Sequence, residues 1–378
     1  MDDLVPLYPV YALLFADTGL DATAIASLFV LWSLVSLVAE VPSGALADRI
    51  PRRHLLLTAA LVRATGFALW VTLPGYPAFA VGFALWGAAS ALRSGTLEAL
   101  VYDELRALGA AERYPVVRAR TGVAELLADL TATLAAVPLL ALGGYPLVGA
   151  VSVATCLLQV AVTLTLPPGH PTGGHEGYLP VLRAGLREAA HHRPVRRLVA
   201  LTAALAGLHA IDEFVPLLAR GAGASDLAVP LLVATLTLAA AAGSWLAGRM
   251  PRGVGTAMAA AALLVAVAVL ADPLAGIAVL AVWYGCVQLA RVMVDVRLQD
   301  SIVGDARATV TSVAGVGSEL AAIVLFAGYG LALDGTPMTV LLLAGVTVPT
   351  LPLAAVAARQ LRAPRQRHPQ PVGEPGSG

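Results

Sequence analysis

Apolar runs of about 20 residues, the length that crosses a bilayer as a helix, recur along the whole chain between short polar breaks. They are continuously apolar rather than alternating, which argues against barrel strands. Reading each run against Gly, Pro and charge predicts about twelve spans: 4–19, 24–46, 54–74, 78–104, 116–142 and 145–166, then 195–218, 226–249, 254–271, 273–300, 307–333 and 337–360. Residues 167–194 are rich in Pro, Gly, His and Arg and read as a linker; within it, 178–192 has the pattern of a short helix lying on a membrane surface. The tail, 361–378, is polar and Pro/Gly-rich and is expected to be disordered. The predicted fold class is therefore an all-α membrane protein, with an N-terminal six-helix bundle over 1–166 and a C-terminal one over 195–360.

Composition agrees with this pattern. The 378 residues are 58% hydrophobic and 13% charged, with a mean hydropathy of +0.80, whereas a soluble domain is about half apolar and a quarter charged. The formal net charge is zero, so no basic surface points to nucleic acid. Cys156 and Cys286 both lie in apolar segments without metal-like spacing, and read as small core residues. Met1-Asp2-Asp3 is acidic where a signal peptide needs positive charge, and the first apolar run begins so early that the natural N-terminus is expected to lie upstream. All 24 basic residues are Arg, and their placement tests the span map. With both termini cytoplasmic, 20 of the 24 fall in cytoplasmic segments and Arg220 alone falls in an outer loop, as the positive-inside bias requires of a multi-pass protein of the cell membrane. Arg63, Arg93 and Arg291 lie inside spans.

The two halves repeat. Asp48-Arg49-Ile50-Pro51-Arg52 aligns with Gly248-Arg249-Met250-Pro251-Arg252, and Trp86, Glu98 and Asp103 align with Trp283, Asp295 and Asp300. The loop after the second span, Glu40 to Arg53, resembles the Gly-x-x-x-Asp-Arg-x-Gly-Arg-Arg loop of major facilitator superfamily transporters, with Gly44, Asp48, Arg49, Arg52 and Arg53 matching and Pro51 where the family usually has Gly. The resemblance covers nearly the whole chain through span count, charge sorting and the parallel repeat. It implies alternating access, with Asp48 and its arginines forming a charge latch between the halves; a basic loop that only sets orientation is the plainer reading. Pro138 before Gly143-Gly144, with Val137 replacing a glycine, partly echoes the fifth-helix motif of the family's drug/proton antiporters.

Ionisable residues inside spans are costly, so each is a candidate functional group. Arg93, Glu125, Asp129 and Glu319 are the deepest by position. Glu125 and Asp129, four apart, share a helix face; two buried carboxylates repel, so one is expected to hold a proton. Arg93 could pair with either, as a proton-coupling cluster or as a fixed salt bridge. Arg63 could snorkel or pair with Glu40. Glu98, Asp103, Asp295 and Asp300 are read as inner-gate charges for Arg118, Arg120 and Arg307, or as solvated helix ends. The resemblance places the substrate cavity on the first, fourth, seventh and tenth spans, where Tyr8, Tyr11, Asp17, Arg93, His209, Asp212, Trp283, Tyr284, Gln288 and Arg291 are polar or aromatic. No metal site is expected from the linker histidines, His170, His191 and His192. A chain without Lys has no phosphate-binding Gly-x-x-x-x-Gly-Lys motif, and no catalytic constellation emerges. The expectation is a monomeric secondary transporter without cofactors, not an enzyme. Its partners are a small-molecule substrate, protons and the lipid bilayer, and the first reading is proton-coupled efflux of a small hydrophobic or amphipathic compound. Proton-coupled uptake or facilitated diffusion comes second, and a non-transporting receptor or scaffold is the alternative of another class.

Overall fold

A computed structural model describes residues 2–47, 49–168, 192–250, 253–302 and 307–362. In chain order the helices are α1 (Tyr11–Asp17), α2 (Ala22–Ala47), α3 (Arg52–Thr72), α4 (Tyr76–Arg93), α5 (Thr96–Ala107), α6 (Tyr114–Leu164), α7 (Arg193–His209), α8 (Val215–Gly221), α9 (Val229–Ala247), α10 (Val254–Ala271), α11 (Pro273–Ser301), α12 (Arg307–Leu333), α13 (Met338–Leu342) and α14 (Val348–Arg362). No strand occurs among the described residues. Between its first and last turns a helix satisfies its backbone donors and acceptors internally, as hydrocarbon demands. Helices α4, α6, α7, α8, α9 and α11 begin with Pro in the first turn, where the missing N–H has no partner to lose. Asp272 additionally caps α11, accepting from Leu274 N at 3.1 Å.

Among the described residues nine helices are long and apolar enough to cross a membrane. The α6 segment would be about 77 Å long if straight, more than twice a bilayer core of about 30 Å. It is broken at Gly144 (φ 61°, ψ −162°), a conformation open to glycine, so it forms two passes that meet where the sequence separates 116–142 from 145–166. Large apolar side chains point outward, with Leu142 81% and Leu331 79% exposed. On a soluble protein such surfaces would be a liability; here they form the face toward lipid.

Several predicted spans are not continuous helices. The span expected over 4–19 is helical only from Tyr11, because Pro6 and Pro9 interrupt its start. The 78–104 span breaks between α4 and α5 at Gly95 (φ 67°). The 195–218 span is divided by a 3₁₀ turn, Ala210–Phe214, ahead of Pro216. The last span contains a π-helical turn, Leu343–Thr347, where Gly345 lies against the Tyr329 ring so closely that a Cβ would overlap it.

Packing sorts the helices into two groups. In the first, α2 and α3 pack on α4, and α3 on α6; in the second, α9 and α10 pack on α11, α7 on α11 and α12, and α10 on α14. Across the groups, α2 packs on α12 and α6 on α9. Glycines allow the closest approaches: a Cβ on Gly285 of α11 would sit 2.7 Å from the Ala239 carbonyl of α9.

Candidate functional site

A cavity of about 760 Å³ lies between the groups. The first contributes Tyr8, Tyr11, Trp86 and the α6 face from Ala119 to Thr133; the second contributes Asp212, Glu213, the α9 face from Val233 to Trp245, Tyr284 and Gln288. Its ends differ. Near the Arg52 end of the bundle the lining residues Ala119, Val123, Ser244 and Trp245 are exposed. Near the Asp17 end Tyr11, Leu236 and Tyr284 are buried, so the cavity opens toward the Arg52 end.

The Asp17 end is closed by contacts between the groups. Arg220 at the end of α8 donates to both Asp17 oxygens, at 2.5 and 3.3 Å, and to Tyr145 Oη at 3.3 Å. Tyr145 also donates to Asp17 at 2.7 Å. Thr23 Oγ1 donates to the Gly330 carbonyl at 2.8 Å, joining α2 to α12. Phe29 of α2 packs edge-on against Phe214 (5.3 Å) and tilted against Phe326 (5.5 Å).

Three carboxylates line the cavity, each with a hydroxyl donor. Asp129 accepts from Thr237 at 2.9 Å, a bond from α6 to α9. Asp212 accepts from Tyr284 at 2.7 Å, within the second group. Glu213 accepts from Tyr11 across the groups. The 3₁₀ turn explains how neighbouring acids face different partners, since at about three residues per turn successive side chains diverge by about 120°. His209 Nδ1 lies 2.9 Å from the Tyr284 hydroxyl, while its Nε2 is buried without a hydrogen-bond partner.

The residues predicted for the cavity divide accordingly. Tyr11, Asp212 and Gln288 line it; His209 touches it through Tyr284; Arg291 stands behind Gln288, donating to its Oε1 at 3.1 Å. Asp17 belongs to the closed end. Trp283 is fully buried and turned away, donating to Thr350 at 2.9 Å, because it lies one residue round α11 from Tyr284.

The expected deep cluster is dispersed. Arg93 meets neither helix acid; it pairs with Asp2. Glu125 pairs with Arg118 on its own helix at 3.3 Å, and only Asp129 of the two lines the cavity. Arg63 pairs with Asp2 at 2.7 Å and bonds Gln159 at 2.5 Å, not Glu40. Arg63, Arg93, Glu40, Glu98 and Glu319 line a second chamber of about 350 Å³, which shares Tyr8 and Trp86 with the first. Glu319 lies beside Ser33.

At the Arg52 end, Glu98 is 3.7 Å from Arg118, and Asp103 pairs with Arg52. Asp295 and Asp300 are exposed at the end of α11. Of the loop after α2, Gly44 is in the helix and Asp48 lies outside the described residues. Arg49 is exposed. Arg52 is buried against Asp103, and Arg53 donates to the Leu166 carbonyl at 3.1 Å. Both of these arginines thus bind within the first group. Arg252, His170 and His191 also lie outside the described residues.

Sequence reasoning missed the roles of Glu213, Thr237 and Arg220. Arg220 carried a signal, being the one Arg in a predicted outer loop. Thr237 carried none, since one hydroxyl in an apolar helix is ordinary until its partner is known.

A family profile described as Major Facilitator Superfamily matches residues 4–326. A search of curated proteins gives no match. Among solved structures, the chain resembles a single-residue mutant of the nucleoside transporter NupG (TM-score 0.75, 14% identity), with 95% of this chain and 97% of that one covered. It also resembles a D-xylose-proton symporter (TM-score 0.70, 15% identity), with 97% and 95% covered. At such identities the likeness establishes the fold, and the profile match establishes the family. The chain belongs to the major facilitator superfamily.

Proposed function

We propose that this secondary transporter exchanges protons for a small amphipathic cation, exporting it from the cell. The observation that carries the reading is the chemistry of the cavity. Asp129, Asp212 and Glu213 line it with Tyr8, Tyr11, Trp86, Trp245 and Tyr284, and its described lining includes no Arg or His. Its volume of about 760 Å³ lies in the range of drug-sized ligand sites. Carboxylates neutralise a cation and aromatic faces attract one. The same carboxylates take protons, so cation and proton compete for one site, which is the logic of antiport.

Residues 1–166 and 195–360 act as two bundles joined by 167–194, with both termini in the cytoplasm and the chain working as a monomer in the cell membrane. On that orientation the Asp17 end is outer and the cavity faces inward. The bundles rock about the cavity, and the Asp48 loop with Arg49, Arg52 and Arg53 latches the opposite, outward-facing state. Asp129 is the carboxylate of α6 proposed to hold the cation in that shared cavity. The second reading is proton-coupled uptake, which the fold of a known proton symporter supports.

The test uses purified protein in liposomes with an acid interior and ethidium, an aromatic cation, outside. Exchange predicts ethidium accumulation driven by the proton gradient and lost in Asp129→Asn. Accumulation that is indifferent to the gradient, or that follows protons in the same direction, overturns exchange.

A further inference from the structure

The 3₁₀ turn between α7 and α8 carries two adjacent acids with opposite attachments. Asp212 is tied inside the second helix group, to Tyr284 of α11. Glu213 is tied to Tyr11 of α1, in the first group. The groups facing Asp212 are Tyr284 and Arg291 of α11 and His209 of α7. Glu213 faces Tyr11, and Asp129 of α6 lines the same cavity.

A tyrosine hydroxyl carries one proton. If Tyr284 donates to Asp212, its oxygen accepts from His209 Nδ1–H, and His209 Nε2 is then the bare nitrogen. That nitrogen is buried with no hydrogen-bond partner. The row His209–Tyr284–Asp212 can run in either direction. With a proton on Asp212, its hydroxyl donates to the Tyr284 oxygen and Tyr284 donates to Nδ1, the ring proton having moved from Nδ1 to Nε2. A proton arriving at Asp212 is therefore accommodated by reversing two hydrogen bonds together with the histidine tautomer, and Nε2, which faces no partner in this state, carries the ring proton.

We infer that the transported proton is carried on the Asp212–Glu213 pair of this turn, with Tyr284 and His209 accommodating the proton on Asp212 and Tyr11 reporting the charge of Glu213 to the other helix group. The inference rests on the transport reading and names its coupling site. Opening the Asp17 end requires α1 and α8 to part, so the Tyr11–Glu213 bond breaks and Glu213 meets outer water. Its carboxylate takes a proton from hydronium there, leaving water. After the end closes, the proton passes from the neutral acid to water entering the cavity from the Arg52 end. A hydrogen bond to a charged carboxylate is roughly twice as strong as one to a neutral acid, so the state of Glu213 biases the position of the two groups.

The experiment places a pair of spin labels at Thr18→Cys and Ser225→Cys, both exposed at the Asp17 end, in full-length protein with Cys156→Ala and Cys286→Ala, reconstituted in lipid nanodiscs. Distance distributions are read from about pH 5.5 to about pH 8.5, a window spanning the range in which perturbed carboxylates titrate. The expected result is two populations whose ratio changes by about tenfold with pH, the effect of one decade of difference in proton affinity between the states. Glu213→Gln, Asp212→Asn and Tyr11→Phe, which are close in shape, should each retain two populations and flatten the pH response, and Glu213→Asp should restore part of it. Two populations that respond to pH alike in wild type and variants, or that ignore pH in wild type, overturn the coupling site and leave transport standing. A single distance at every pH counts against the transport reading itself.

Discussion

Replacing Arg220 with Gln should open the Asp17 end. Among the described residues, Arg220 is the one there that binds Asp17 and Tyr145 of the first group while belonging to the second. Its bond to Asp226, at 2.9 Å, lies within the second group and should not count toward closure. The cross-group part is a two-point ion pair plus one hydrogen bond to a charged donor. Ion pairs at exposed positions contribute about 0.2–1 kcal/mol and hydrogen bonds to charged groups about 1.5–3 kcal/mol. Asp17 is 41% and Arg220 27% exposed, which discounts the sum to about 1–2 kcal/mol. The closed-to-open ratio should then fall by about 5–30-fold. The assay is alkylation of a cysteine at Leu236, a buried cavity position near that end, by an impermeant reagent added from the outer side. Arg220→Gln should speed labelling by that factor, Asp17→Asn should act similarly, and the double variant should add little, because both remove one interaction. Raised salt should narrow the difference. Labelling within about twofold of wild type in both single variants, below the range worked from these energies, would refute closure by this pair.

Two further outcomes follow from the packing. Gly285→Ala brings a methyl group to 2.7 Å from the Ala239 carbonyl, so α9 and α11 must separate by several tenths of an ångström; at about 1–3 kcal/mol for overpacking the midpoint of thermal unfolding in detergent should fall measurably, and an unchanged midpoint would contradict the close approach. Asp103→Asn removes the anion paired with buried Arg52 and should destabilise by about 1–3 kcal/mol, read by the same melt, whereas Asp295→Asn at an exposed position should change it little.

Much of the architecture is legible in the chain, and the reason is the solvent. Hydrocarbon forces long apolar helices, so hydropathy alone places α2, α3, the two passes of α6 and α9 to α12 close to their observed bounds. Prolines at helix starts and Gly144 mark breaks because they act through local backbone geometry. The interruptions at Pro6 and Pro9, Gly95 and Pro216 carried the same kind of signal, yet hydropathy ran through them, since it does not register backbone shape. Partner choice was not legible. Spacing put Glu125 and Asp129 on one face, but which points into a cavity depends on how α6 is rotated against α9, and Thr237 of α9 decides it for Asp129. Arg93 and Arg63 go to Asp2, a choice between acids at similar depth that only three-dimensional packing makes. Repeated crossing of a membrane as helices follows from the residues alone, because burial of apolar surface and backbone satisfaction are local demands. The reach of Asp212 and Glu213 to different helix groups comes from three-dimensional packing, because ion pairs and hydrogen bonds depend on ångström-scale distances between segments far apart in the chain.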